Sequence, residues 1–153
     1  MKPPTAAALR TWRGNIPVSS LYTAGVGATT FLRALKDRGE LLATRCTTCQ
    51  RTYLPALEFC PRCFAELRET IPLKPEGELV SFTRVHYDRD ARRLAKPLTV
   101  AAVRLDAADT VLIHYWLGKD TPRIGSRARV RLKPKNKRIG SILDIAGLTP
   151  APQ

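Results

Sequence analysis

Cysteine is absent from most of this 153-residue chain, because all four cysteines lie between residues 46 and 63. The chain also has no run of about 18 apolar residues, the length that a membrane-spanning helix needs. Its start, MKPPTAAALRTWRG, lacks the apolar stretch of a secretory signal. We therefore expect a cytoplasmic protein with reduced thiols and without contact to a membrane.

Recognisable catalytic arrays are missing as well. The sequence offers no Ser-His-Asp array, no Gly-rich phosphate loop and no second metal cluster that could be assembled with specificity. His86 and His114 lie inside strand-like patterns far from the cysteines, where packing or surface roles are the more common ones. We predict no catalytic residues in this chain, so a free-standing enzyme is the least supported of the functions considered below.

Acidic residues are missing from residues 126–140, in a chain with 26 Lys and Arg against 13 Asp and Glu and a net charge of +13. Period-two alternation over 126–133 predicts a strand with apolar residues on one side and cations on the other. The cations of the segment are Arg127, Arg129, Arg131, Lys133, Lys135, Lys137 and Arg138. Two interpretations stay open: a solvated face that keeps an edge strand from pairing, or an anion-binding face.

What the chain does have is a paired cysteine motif. Cys46 and Cys49 form one C-x-x-C unit, Cys60 and Cys63 form a second one, and ten residues separate the two units. Each unit places two thiolates on one side of a tight turn, and two such turns make a tetrahedral site of four sulfurs. The spacing predicts a zinc ribbon with these four residues as metal ligands.

Other interpretations of the cysteines are weaker. A redox C-x-x-C usually occurs singly at the start of a helix, and a disulfide framework suits secreted proteins. Iron uses the same four ligands and stays open as the alternative ion. Either ion would be structural, since four protein ligands leave no position for a substrate.

Turn signals divide the chain into three parts. Residues 1–40 contain a Pro-rich arm and a helix predicted over 30–37, capped by Thr29 or Thr30 and ended by Gly39. Residues 41–74 form the zinc ribbon, which begins with a strand in GELLATRC. The stretch IPLKPEG (71–77) predicts a linker, with the boundary near residues 73–76.

The last part, residues 75–153, has strand patterns over 78–88, 98–106, 110–118, 127–134 and 140–148. The break at 106–109 suits a tight hairpin. Five antiparallel strands in so short a segment favour a small barrel, of which the OB-fold is the common five-stranded case. The predicted fold is therefore mostly β, with an N-terminal helical arm, a zinc ribbon and a five-stranded barrel.

The combination of arm, ribbon and barrel resembles a known family over residues 12–148. The residues that carry the resemblance are Trp12, Tyr22, Gly25, Phe31, the four cysteines and the strand HYWLG at 114–118. The family is the acyl-CoA-associated one long catalogued as domain of unknown function thirty-five, built from a rubredoxin-like zinc ribbon and an OB-fold. Its members often have Gly after the first pair of cysteines, where this chain has Gln50.

The resemblance implies a partner role. Members of this family are typically small partners of thiolase-superfamily enzymes, among them acetoacetyl-CoA thiolase, acyltransferases, steroid side-chain aldolases and the benzoylsuccinyl-CoA type of thiolase. The catalytic residues belong to the other subunit in those complexes. Trp12, Tyr22 and Phe31 are then candidate partner-binding residues, because aromatic side chains on an arm are common anchors. The alternative is that the arm folds back over its own barrel.

For this chain the resemblance implies an accessory subunit that stabilises a thiolase-type enzyme and shapes its acyl-CoA site. The seven cations after residue 126 would suit the phosphates of coenzyme A or an acidic surface of the partner. The alternative function is a single-stranded nucleic-acid-binding module. Such modules stack bases on aromatic side chains beside a cationic groove. We consider nucleic acid the weaker alternative, because the outward positions of the cationic strand contain no aromatic residue.

Overall fold

The computed structural model describes residues 14–151, which form one α-helix and eight strands. Within these residues, no helix is long and apolar enough to cross a membrane. In chain order the elements are α1 (Gly25–Asp37), β1 (Leu41–Arg45), β2 (Thr52–Tyr53), β3 (Glu69–Leu73), β4 (Glu76–Tyr87), β5 (Arg93–Leu105), β6 (Val111–Tyr115), β7 (Arg127–Leu132) and β8 (Ile145–Pro150).

Helix α1 begins five residues before the predicted start. Its N-cap is Ala24, which offers no side-chain hydrogen bond, and Thr30 lies inside the helix, where its hydroxyl donates to the Val26 carbonyl. The predicted cap at Thr29 or Thr30 is therefore wrong. The predicted end is confirmed: Gly39 has φ of +70° and donates to the carbonyls of Ala34 and Leu35, as expected for glycine after a helix C-terminus.

The buried face of α1 covers β1. Phe31, Ala34 and Leu35 are buried on that face. The first turn also comes very close to the ribbon backbone, since a Cβ atom added to Gly27 would lie 2.8 Å from the carbonyl oxygen of Ala56. Glycine at this position lets the helix seat against the ribbon.

The ribbon sheet has the strand order β2-β1-β3, with both pairs antiparallel. Strand β3 includes Pro72, which pairs with Leu42, and β4 begins at Glu76, so the linker predicted over 71–77 is wrong at both ends. Proline is tolerated there because β3 is an edge strand and needs no donor on its outer side. Only Lys74 and Pro75 separate β3 from β4.

The second sheet has five strands in the order β6-β5-β4-β7-β8. Its two end strands meet through a parallel bridge between Trp116 and Leu148, and Leu117 donates to the Leu148 carbonyl at 2.7 Å. The predicted five-stranded OB-type barrel is confirmed. The last strand starts later than predicted, because Ser141 and the 3-10 turn Ile142–Asp144 precede it.

One hydrophobic core joins the helix, the ribbon and the barrel. It contains Phe31 and Leu35 from α1, Leu41 from β1, and barrel residues such as Leu79 and Ile145. A second, smaller core lies in the ribbon and has four buried members. They are Cys46, Tyr53, Cys60 and Leu67.

The turn between β5 and β6 fastens the barrel to the ribbon. The Thr110 hydroxyl donates to the Leu54 carbonyl and accepts from the Leu54 amide, both at 2.8 Å. Asp109 accepts from the Thr52 amide at 2.8 Å through its carboxylate and donates its own amide to the Thr52 carbonyl at 2.9 Å. These four hydrogen bonds thus hold the ribbon at a defined place on the barrel.

Candidate metal centre and its surroundings

The four cysteines meet in one cluster. Their Sγ atoms all lie within 4.8 Å of one another, and those of Cys46 and Cys63 are 3.6 Å apart. A tetrahedral zinc with Zn–S bonds of about 2.3 Å separates its sulfurs by about 3.8 Å, whereas a disulfide would need about 2.05 Å. All four residues are free cysteines, so the arrangement fits one metal ion bound by four sulfurs.

The local chain conformation brings the sulfurs together. The first cysteine pair follows β1, and the Cys49 amide donates to the Cys46 sulfur at 3.3 Å. The residue after each pair turns the chain back with a left-handed conformation: φ is +55° at Gln50 and +60° at Phe64. Glycine is the usual residue for such a position, whereas this chain has Gln50 and Phe64 there.

Burial and hydrogen bonding divide the thiols into two kinds. Cys46 and Cys60 are 1% and 0% exposed, and the other two are half-buried. Burial raises the pKa of Cys60, but hydrogen bonds from the Tyr53 hydroxyl and from the amides of Cys63 and Arg62 outweigh it and lower that pKa to about 6. Hydrogen bonding with Cys63 and burial raise the pKa of Cys49 to about 12. These hydrogen bonds therefore favour the thiolate form of Cys60, which is the form in which a cysteine binds a metal.

Tyr53 supports the cluster and was not identified from the sequence. Its hydroxyl lies 3.3 Å from the Cys60 sulfur, and the hydrogen bond with Cys60 raises the pKa of Tyr53 to about 12. The phenol therefore stays protonated at neutral pH and can donate to a thiolate, as groups beside metal ligands commonly do. The only signal in the sequence is an aromatic residue in a strand next to the first cysteine pair.

Chemically, the cluster is a closed structural site. Four protein sulfurs fill the tetrahedral positions that zinc prefers and leave none for a reacting water. In the described residues 14–151, no second group of three metal-ligating side chains occurs. His86 is exposed, and His114 is buried with its Nδ1 atom unpartnered. Burial lowers the pKa of His114.

The predicted alternation of the cationic strand is confirmed within β7, whereas Ser126 and Lys133 lie just outside the strand. Ala128 and Val130 are buried, while Arg127 and Arg131 are exposed. Two of the seven cations contact acids. Arg127 donates to both carboxylate oxygens of Asp106, at 2.8 and 2.6 Å.

Arg129 forms the second of these pairs, with Glu76 on β4. Within the described part of the chain, the remaining five cations form no ion pair. They are Arg131, Lys133, Lys135, Lys137 and Arg138. Arg138 instead donates to the Lys133 carbonyl at 2.7 Å and crosses over Gly39 at the end of α1.

The three candidate partner residues lie in different environments. Trp12 is outside the described residues. Tyr22 is 91% exposed in a stretch without regular structure, whereas Phe31 is 2% exposed and belongs to the core. The Phe31 ring is buried because α1 turns its apolar face toward β1, so this ring packs within its own chain and is not free to anchor a partner.

The exposed stretch around Tyr22 is apolar. Residues 14–24 have no helix or strand, and they carry Ile16, Val18 and Leu21 as exposed side chains. The first turn of α1 adds exposed Val26. We call residues 14–26 the apolar arm.

Comparison with known proteins agrees with this architecture. Residues 33–68 match the family model described as "ChsH2, rubredoxin-like zinc ribbon domain". Residues 70–133 match the model described as "ChsH2, C-terminal OB-fold domain". The chain is also similar to a "DUF35 domain-containing scaffold protein" of Methanocaldococcus jannaschii, with 29% identity over 75 residues. That alignment covers 48% of this chain and 53% of the relative, so the chain spans about half the length of the curated relative it matches.

Two solved structures share the fold. One is a DUF35-family protein of unknown function from Sulfolobus solfataricus, with a TM-score of 0.58 and 24% identity over 69% of this chain and 78% of that one. The other carries the description "Ltp2-ChsH2(DUF35) aldolase", with a TM-score of 0.58 and 20% identity over 78% of this chain and 93% of that one. The cysteine cluster, the ribbon, the barrel and both domain matches agree, and the chain belongs to the ChsH2-type DUF35 family.

Proposed function

We propose that this chain is a non-catalytic accessory subunit of a thiolase-type acyl-CoA enzyme complex. The observation that carries the proposal is the apolar arm, which is exposed although the chain has a core of its own. Contiguous exposed apolar side chains are unfavourable in water, at about 25 cal/mol per Å², and such patches mark sites of protein association. In this proposal the arm docks on the catalytic subunit.

The comparisons support a role for this chain in a complex with another protein. The description of one structural neighbour names two components, Ltp2 and ChsH2, in one aldolase. The description of the archaeal relative calls that protein a scaffold. Carried over to this chain, these descriptions favour a subunit whose partner performs the chemistry, of the acetoacetyl-CoA or benzoylsuccinyl-CoA thiolase type that the sequence resemblance implies.

The same proposal assigns anion binding to the cationic segment. The five cations without an acidic partner in the described residues lie on β7 and in the loop that follows it. Three backbone amides of this loop, those of Ile139, Gly140 and Ser141, already donate to Asp144, so the cationic side chains are the groups proposed to bind a further anion. They would attract the phosphates of coenzyme A or an acidic surface of the catalytic subunit.

The test is co-expression with the thiolase-superfamily subunit encoded beside this chain, followed by gel filtration and assay of thiolase activity. We expect comigration and a change in activity with the wild-type chain. The double variant Leu21→Asp/Tyr22→Asp should weaken the complex at least tenfold, because charge replaces the apolar contacts. Ile124→Asp, at an exposed apolar site in the loop after β6, is the control and should bind like wild type.

Two results would contradict the proposal. One is separate elution of the two proteins together with unchanged thiolase activity. The other is a salt-sensitive shift of single-stranded oligonucleotides at micromolar protein that the arm variant leaves intact, which would favour the nucleic-acid alternative.

A further inference from the structure

Phe64 occupies a position that its side chain does not suit. It follows Cys63 at the end of the second cysteine turn, with φ of +60°, and its ring is 80% exposed. A non-glycine residue in this left-handed conformation strains the backbone. An exposed aromatic ring does not offset that strain, because it gains no burial in its own chain.

Gln50 makes the contrast clear. It holds the corresponding place after the first cysteine pair, with φ of +55°, but its side chain contributes to the local structure. The Gln50 amide group donates to the Thr47 carbonyl at 2.5 Å and accepts from Arg45 at 3.0 Å. Among the described residues, Phe64 has no comparable contact, so nothing in that part of the chain explains why a large ring stands where glycine would be easier.

A second exposed ring, that of Phe59, lies on the hairpin that contains the second cysteine turn. Phe59 is 55% exposed and is bridged to Glu66 across the hairpin. The charges around the two rings cancel, since Glu58, Arg62, Glu66 and Arg68 are two acids and two bases, and Arg68 donates to Glu66 at 2.6 Å. We call residues 59–64 the knuckle tip. Counted with the flanking Glu58, Glu66 and Arg68, it has no net charge, on a chain of net charge +13.

The base of the hairpin that carries the knuckle tip faces the first turn of α1. A cleft of about 220 Å³ lies between them, lined on one side by Val26 and Gly27 of α1 and on the other by Glu58, Glu66 and Leu67 of the hairpin. A partner protein that contacts the arm at Val26 would therefore lie beside the hairpin that carries Phe59 and Phe64. The two apolar surfaces can be covered together by one partner.

From this geometry we infer that the knuckle tip is a docking element, with Phe64 and Phe59 inserted into an apolar pocket of the catalytic subunit that the arm contacts. The inference rests on the proposed function. The local neutrality of the tip favours an apolar pocket over an anionic ligand. A second copy of this chain is a poor occupant, because each copy carries +13 and the two would repel each other.

The experiment measures each variant twice: free, by thermal unfolding with metal content, and with the catalytic subunit, by affinity. Phe64→Gly should raise the unfolding temperature of the free chain by about 2 °C, since glycine relieves the left-handed conformation. The same variant should bind the catalytic subunit at least tenfold more weakly. Phe64→Ala should bind as weakly without the gain in stability.

Two further variants complete the test. Phe59→Thr should also weaken binding, whereas Gln50→Gly, which changes the corresponding position of the first turn, should bind like wild type. Metal content should stay the same in every variant.

Each contrary outcome has a distinct meaning. A lower unfolding temperature for Phe64→Gly would show that the ring packs on its own chain, and unchanged affinity would show that it does not dock. Either result overturns the inference and leaves the accessory role standing. A free chain that dimerises through Phe64 would replace the partner by a second copy and overturn it too. If the wild-type chain forms no complex at all, the proposed function and the inference fail together.

Discussion

Asp144 is a fully buried carboxylate within a strongly cationic region. It accepts from the amides of Ile139, Gly140 and Ser141, at distances from 2.7 to 3.3 Å, and so fixes the loop between β7 and β8. Burial raises the pKa of Asp144, but these three amides outweigh it and hold the pKa below its ordinary value. One residue therefore determines the shape of the loop that carries Lys135, Lys137 and Arg138.

The lowered pKa of Asp144 predicts how stability depends on pH. The stabilisation is fully present above the unfolded-state pKa of about 3.9, and it is lost as pH falls through the lower folded-state value. Asp144→Asn should cost about 2 kcal/mol at pH 7, since an amide cannot accept all three hydrogen bonds. The difference in unfolding free energy between the variant and the wild type should become smaller below pH 4.

Urea unfolding at pH 7, 5 and 3 measures this difference. Asp90→Asn, at an exposed carboxylate, serves as the control and should behave like wild type throughout. If Asp144→Asn loses the same unfolding free energy at pH 3 as at pH 7, the stabilising role of the ionised Asp144 carboxylate is contradicted.

Individual residues also show why the candidate site was only partly predictable. The ligand set followed from cysteine spacing, because a C-x-x-C turn is a local arrangement. The ion pairs of Arg127 and Arg129 did not, since their acidic partners lie 21 and 53 residues earlier in the chain. Alternation along one strand gives the face on which a side chain lies, but not the neighbour that it meets there.

At the scale of elements, the contact between the β5–β6 turn and the ribbon has the most direct consequence. Thr110 and Asp109 together satisfy backbone groups of Thr52 and Leu54 that would otherwise lose partners on burial. The sequence at 106–109 predicts a tight hairpin. No local pattern indicates that this turn also binds the ribbon, because that contact joins segments more than 50 residues apart.

Thr110→Val tests this contact, since valine keeps the branched shape and removes the hydroxyl. We expect a loss of about 1–3 kcal/mol in unfolding free energy, because the Leu54 amide and carbonyl lose their partner. Hydrogen exchange at the Leu54 amide should accelerate, while that of Val103 in the barrel core should not change.

Thr83→Val, at an exposed position of β4, is the matched control for the loss of a hydroxyl. Unchanged protection of Leu54 in Thr110→Val would show that the turn does not hold the ribbon.

At the scale of the whole molecule, the two hydrophobic cores predict different responses to metal removal. The ribbon core has four buried residues, two of them metal ligands, whereas the main core spans α1, β1 and the barrel. Removing the metal with EDTA should unfold the ribbon locally and leave the barrel folded, because so small a core cannot replace the binding energy of the ion.

Limited proteolysis before and after EDTA treatment checks this expectation. New cleavage should fall within residues 46–68, while hydrogen exchange of β4, β5 and β7 stays slow. Metal analysis of the untreated protein should give one zinc per chain, and a visible absorption band would identify iron instead. Cooperative loss of all protection on metal removal would contradict the two-core description.

The sequence by itself determined the ligands, the order of helix, ribbon and barrel, and the inward and outward faces of the cationic strand. These features depend on spacing and periodicity, which act over a few residues. Tertiary structure alone decided that Phe31 lies in the core and Tyr22 does not, that Tyr53 reaches the Cys60 sulfur, and that the hairpin carrying the exposed Phe64 has its base against the first turn of α1. Those outcomes depend on which distant segments pack together, and packing is a property of the whole fold that no local pattern contains.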